Sequence, residues 1–142
     1  MDSSIPPYKP RPELPTDYVA LGIVLNEGRI LVCRRRKDAF LGGLWEFPGG
    51  KREPLESYAR CAEREVHEET GVTVRAMREM PPVRHDYETR RVVLQPYVCE
   101  AVSGEPRPIE CDEVRWVTAA ELEELEMPEA NGPVIAAIMA LL

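Results

Sequence analysis

Between Phe47 and Ala59 the chain changes the spacing of its apolar residues, and that change constrains the fold more than any other feature. Up to Phe47, short stretches rich in Val, Ile and Leu are separated by turn residues, as in buried strands. Pro48-Gly49-Gly50 then acts as a breaker. Beyond it Ala59, Ala62 and Val66 recur at helical spacing, with Pro54 suited to a first helical position and Gly71 to the residue that ends a helix. The pattern predicts a helix from Pro54 to Glu69. On it Glu65, Glu68 and Glu69 stand at i, i+3 and i+4, so their carboxylates share a face turned away from Ala59, Ala62 and Val66.

On either side of this switch the elements are short. Tyr18 to Leu25 reads as a buried strand, Asn26-Glu27-Gly28 as a turn and Arg29 to Cys33 as the returning strand of a hairpin. Leu44 to Phe47, Val72 to Met77, Val92 to Val98 and Val114 to Val117 read as further strands. Thr118-Ala119-Ala120-Glu121 has capping-box chemistry for a short acidic helix, and Pro133 opens a last apolar helix reaching Leu142. Strands interspersed with two or three helices imply an α/β domain with a mixed sheet covered on both faces. Residues 1–16, with Pro6, Pro7, Pro10, Pro12 and Pro15, read as a proline-rich arm, leaving 17–142 as one domain.

Composition narrows the function classes. A net charge of −7 disfavours coating nucleic acid or anionic membrane, and no apolar run is long enough to span a bilayer. The N-terminus lacks the order of a secretory signal, so a cytoplasmic protein is expected. Cys33, Cys61, Cys99 and Cys111 are too scattered to suggest a zinc site or a disulfide framework. An acidic protein still accepts a phosphorylated substrate if a divalent cation stands between the two.

The three glutamates supply a place for one. Like charges at this spacing cost a helix a few tenths of a kcal/mol per pair, roughly, unless something neutralises them. Oxygen-only ligands select hard cations such as Mg²⁺ or Mn²⁺. A solvated acidic face is the commoner meaning of such a trio, but Gly49 and Gly50 read as a loop just before the helix, where bare backbone can approach a metal or phosphate. Glu56 and Arg64, eight residues apart, lie at comparable azimuth, and an arginine there can hold neighbouring carboxylates in place.

The stretch Gly50-Lys51-Arg52-Glu53-Pro54-Leu55-Glu56, seven residues, then Arg64-Glu65-Val66-His67-Glu68-Glu69-Thr70-Gly71-Val72 resembles the Nudix box at every fixed position. The approach Leu44-Trp45-Glu46-Phe47-Pro48-Gly49-Gly50-Lys51 and the segment Pro128-Glu129-Ala130-Asn131-Gly132-Pro133-Val134-Ile135 are similar to the MutT branch, the 8-oxo-dGTP diphosphatases. The resemblance covers the chain from about Tyr18 to its end. It implies an α/β/α sandwich and Mg-dependent hydrolysis of a nucleoside triphosphate to a monophosphate and pyrophosphate, with Mn²⁺ as an alternative ion.

Carried over residue by residue, the resemblance makes Glu65, Glu68 and Glu69 metal-binding and catalytic carboxylates, with Gly49 or Gly50 adding a backbone carbonyl. Glu56 and Arg64 would orient the box. Glu110 would be a further metal ligand or the base, or else a loop glutamate beside Asp112 and Glu113. Arg35 would contact phosphate, Gly49, Gly50 and Lys51 would border the substrate, and Arg90 would lie near the nucleoside. Asn131 would read the purine, with its acceptor and two donors, or else cap the last helix. His67 and His85 read as structural, and Trp45 and Trp116 as core or pocket walls. The implied partner is a small nucleotide, bound by a monomer or homodimer. Two rivals stand beside the oxidised purine: a Nudix hydrolase for another nucleotide (a modified cytidine triphosphate, a dinucleoside polyphosphate or a nucleotide sugar), and a non-catalytic nucleotide-sensing module.

Overall fold

The computed structural model describes residues 14–142, so nearly all of the expected proline-rich arm lies outside the described residues. Strand β1, Thr16–Asn26, begins inside the span expected to be arm. It turns through Glu27 and Gly28, both at positive φ (51° and 77°), into β2, Arg29–Arg34. Two left-handed residues in a row give the hairpin turn whose twist matches that of the strands. The remaining strands are β3 (Trp45–Glu46), β4 (Gly49–Lys51), β5 (Thr73–Glu79), β6 (Val83–Asp86), β7 (Arg91–Ser103) and β8 (Glu113–Val117).

The sheet is mixed. Its main path runs β3-β2-β1-β7-β5, with β4 paired to β1, β6 to β7 and β8 to β2. β1 and β7 run parallel, from Thr16 opposite Arg91 to Leu25 opposite Glu100, and the other pairs are antiparallel. The period-two alternation of β1 divides the core into two layers. Leu21 and Ile23 face one side with Val32, Phe47, Leu94, Val134 and Ile138, whereas Ala20 and Val24 face the other beneath Cys61, Ala62 and Val66. Helix α1 (Tyr58–Thr70) covers the second side, and α2 (Ala119–Glu124) and α3 (Gly132–Leu141) pack on the first. The α/β/α arrangement follows. At Gly22 the contact with α1 is so close that a Cβ would lie 2.4 Å from Cγ2 of Val66.

Two local expectations change. Helix α1 begins at Tyr58, not Pro54, because Leu55 is left-handed (φ 66°) and Ser57 takes the capping position, accepting from the Arg60 amide at 3.1 Å. Glu56 therefore precedes the helix. Gly49 and Gly50 form a strand paired with Leu21 and Ala20 instead of an open loop, because glycine lets that backbone lie against β1: a Cβ on Gly49 would sit 2.2 Å from the Ala20 carbonyl oxygen. Strand β6 is one that the spacing of apolar residues does not announce. Gly71 (φ 77°) ends α1 as expected, and Thr118 and Glu121 close a reciprocal capping box on α2.

Candidate active site

Arg64 is the hub of the acidic face of α1. Its Nε and Nη2 donate to the two oxygens of Glu56 at 2.7 and 2.9 Å, a two-pronged pair. Its Nη1 reaches Glu65 Oε1 at 2.8 Å and Glu68 Oε2 at 3.1 Å, and Nη2 reaches the Lys51 carbonyl at 3.3 Å. One guanidinium thus ties the loop before α1, the end of β4 and two turns of the helix together. The bonds from Arg64 hold the Glu56 carboxyl down at a pKa of about 2. Glu65 moves the other way, because burial outweighs its bond to Arg64. Gly50 is what admits Glu65 so close: a Cβ there would lie 2.4 Å from the Glu65 carboxyl carbon.

Glu69 sits at the buried end of the same face. Its Oε2 accepts from the Gly49 amide at 2.7 Å. Burial, with the neighbouring Glu46 as the next cause, pushes its pKa up to about 9. Glu46 is itself raised by burial, against the opposing pull of Arg35, whose Nη1 bonds it at 2.8 Å. Behind them the Cys33 and Cys111 thiols lie close enough to perturb each other, raising Cys33 and lowering Cys111, a contact hidden by their distance in sequence. All four cysteines are buried and free. The Glu110 amide approaches the Glu69 carbonyl at 3.4 Å, and its carboxylate adds to the negative field at Glu65.

This donor set fits a divalent cation chemically. Glu65, Glu68 and Glu69 offer only hard oxygens, and Glu69 and Glu46 share a negative field that Arg35 offsets at one end only. Among the described residues, however, no three acidic, His or Cys side chains converge as a ready ligand set. Arg64 draws Glu65 and Glu68 to itself, and the Gly49 amide holds Glu69. Gly49 thereby contributes its N–H to the face; the carbonyl that the resemblance implied, from Gly49 or Gly50, is a separate atom of that backbone.

Beside the acidic face opens a cavity of about 310 Å³. Gly49, Gly50, Glu46 and Arg35 border it toward the carboxylates, and Asp17, Lys51 and Arg90 line it together with Asn131. Phe40 and Tyr87, edge to face at 5.8 Å, complete an aromatic wall. The Arg90 guanidinium lies 4.4 Å over the Phe40 ring. Tyr87 accepts from the Ala130 amide at 3.1 Å and so joins this wall to the short 3₁₀ turn Glu129–Asn131. Asn131 is 5% exposed, and its side chain makes no cap bond to α3.

A NUDIX domain profile matches residues 19–137. The chain belongs to the Nudix family. It is a pyrophosphohydrolase of MutT type. It is 33% identical to the 8-oxo-dGTP diphosphatase of Escherichia coli over 124 residues, 87% of this chain and 96% of that protein. It is 28% identical to the Escherichia coli CTP pyrophosphohydrolase over 123 residues, 87% and 91% of the two chains. The solution structure of the Escherichia coli ORF135 protein superposes with a TM-score of 0.76 at 27% identity, covering 94% and 95% of the two chains.

In this Nudix enzyme most of the residues singled out from sequence lie in one region. Glu56, Arg64, Glu65 and Glu68 form one network, Glu69 and Gly49 another, and Arg35, Gly49, Gly50, Lys51, Arg90 and Asn131 share the cavity. His67 is exposed on α1 and lines no part of the cavity. Trp45 is core, and Trp116 packs half-buried against the second core layer. Sequence reasoning missed Glu46, Phe40 and Asp17. Asp17 had a signal: it keeps the period-two face of Val19 and Leu21.

Proposed function

We propose that the enzyme hydrolyses a nucleoside triphosphate to a monophosphate and pyrophosphate with Mg²⁺, Mn²⁺ being able to replace it, and that an oxidised purine nucleotide such as 8-oxo-dGTP is preferred. The observation that carries the base preference is the Asn131 amide, buried on the cavity wall and released from helix capping. A side-chain amide offers both an acceptor and donors, which suits the O6 and N7 edge of a purine whose N7 carries a hydrogen. The 33% identity to a protein named 8-oxo-dGTP diphosphatase supports the same choice. Such an enzyme clears damaged nucleotides in the cytoplasm before a polymerase uses them.

When bound, the divalent cation neutralises charge on phosphate oxygens and makes a water more acidic. Glu65, Glu68 and Glu69 would hold it, with Glu110 as a further ligand. Arg64, braced by Glu56, keeps Glu65 and Glu68 in register, as partners behind a metal site do. Arg35 moves a bond from Glu46 to the phosphates, and Gly50 lets the phosphate chain pass close to the backbone. A glutamate of the cluster, or Glu110, takes the proton from the attacking water. The nucleoside half lies in the cavity against Phe40, Tyr87, Arg90 and Asn131.

A pyrimidine substrate is the second reading, favoured by the 28% identity to a CTP pyrophosphohydrolase. Hydrolysis with Mg²⁺, read as pyrophosphate from 8-oxo-dGTP, dGTP, CTP and 5-methyl-dCTP and as the adenine nucleotide formed from ADP-ribose and diadenosine tetraphosphate, compared by kcat/KM, separates the two. A large preference for 8-oxo-dGTP over dGTP, lost in Asn131→Ala, is the expected result. Preference for a cytidine nucleotide discards the role of Asn131, and no turnover of any compound makes the domain a sensing module.

A further inference from the structure

Asp17 is a carboxylate on the wall of a cavity that is to receive a polyanion, and such a group needs a reason to be there. It sits at the start of β1, opposite Val92 of β7, on the strand face shared by Val19 and Leu21. Its Oδ1 lies 3.1 Å from Lys51 Nζ and its Oδ2 3.2 Å from Arg90 Nη1. The side chain is only 20% exposed, against 70% for Lys51 and 39% for Arg90. Two cations, one from the end of β4 and one from the residue just before β7, thus converge on one half-buried acid.

This arrangement has two chemical consequences. Lys51 and Arg90 are engaged with Asp17 at this end, whereas Arg35 and the glycine backbone border the end toward the carboxylates of α1. The phosphate chain is thereby steered away from Asp17. Each Asp17 oxygen accepts from one cation and keeps a second lone-pair direction, and an ionised carboxylate can only accept. What it can take from a ligand is an O–H or N–H, and the Arg90–Phe40 stack beside it is a flat surface of the kind a nucleoside covers.

We propose that Asp17, clamped by Lys51 and Arg90, is a specificity-determining residue that accepts a hydrogen bond from the nucleoside half of the substrate. The inference rests on the reading that this half occupies the cavity. Two sources share the required chemistry: the guanine edge, with its adjacent N1–H and exocyclic N–H, and the sugar 3′-hydroxyl. Adenine presents an acceptor where guanine presents N1–H, so an acceptor-only residue in this place excludes it if the base is what is read.

The test compares kcat/KM for dGTP, dITP (no exocyclic amine) and 2′,3′-dideoxy-GTP (no 3′-hydroxyl) in wild type, Asp17→Asn and Asp17→Leu. Wild type loses about tenfold or more on one analogue, the scale of one hydrogen bond to a charged group. In Asp17→Leu that penalty shrinks to within about twofold, and Asp17→Asn, which keeps one acceptor oxygen, lies between. Loss on dITP assigns the base edge, and loss on the dideoxy compound assigns the sugar. A merely structural Asp17 would lower the melting temperature and all three rates together, leaving the ratios between analogues unchanged, and that result overturns the proposal while keeping the hydrolase. Wild type that hydrolyses no nucleoside triphosphate takes down both.

Discussion

The Gly49 amide donates a 2.7 Å hydrogen bond to Glu69 Oε2, tying strand β4 to the last turn of α1. The bond holds a buried carboxyl whose nearest influences, burial first and Glu46 second, both disfavour its charge. Glu69→Gln keeps an oxygen for Gly49 and removes the charge. Turnover is expected to fall at least about a hundredfold, as for loss of a metal-site group. The metal-free melting temperature is expected to stay level or rise. Pyrophosphate release and thermal unfolding in EDTA check the two halves, and a variant with wild-type turnover removes Glu69 from the site.

Arg64→Lys tests the network on α1. Lysine keeps one charge but cannot donate in parallel to both Glu56 oxygens while reaching Glu65 and Glu68. The expected cost is about 1–3 kcal/mol of stability, from charged hydrogen bonds lost in a half-buried place. The Mg²⁺ concentration for half-maximal rate should rise about tenfold or more as the carboxylates lose their fixed spacing. Titrating the rate with Mg²⁺ at saturating nucleotide measures it.

Acid should act on Glu56 in a definite window. Its folded pKa, held near 2 by Arg64, lies below the ordinary carboxyl value of 4.5. The unfolded chain therefore takes up the proton first, and the stabilisation from the pair is fully present above about pH 4.5. It is lost as pH falls from there toward about 2. Denaturant unfolding at steps across that range should show a shallower pH slope in Glu56→Gln than in wild type. Parallel slopes would mean that Glu56 and Arg64 are not coupled in solution.

Two glycines should respond differently to the same added methyl. In Gly22→Ala the Cβ meets Val66 Cγ2 at 2.4 Å and pushes α1 off the sheet. About 1–3 kcal/mol of stability should be lost, as for overpacking elsewhere. In Gly50→Ala the Cβ meets the Glu65 carboxyl at 2.4 Å, and a flexible side-chain end can swing aside. That variant should unfold near the wild-type temperature but lose most of its activity. Thermal unfolding and rates measured together distinguish the pair.

Local spacing alone settled a good part of this protein. The strand-to-helix switch between Phe47 and Ala59, the end of α1 at Gly71, the capping box at Thr118 and the single acidic face of Glu65, Glu68 and Glu69 all follow from residues within a few turns of one another. The Glu56–Arg64 pair was legible too, though through the wrong geometry: Glu56 reaches Arg64 from the loop before the helix. Tertiary structure decided what spacing cannot express. The approach of Glu46 to Glu69, the Cys33–Cys111 contact, and Asp17 between Lys51 and Arg90 depend on which strands lie side by side and in what register. A helix repeats within its own hydrogen bonds, so its faces can be counted along the chain. A strand's neighbours are chosen by the whole sheet, and no local period records them.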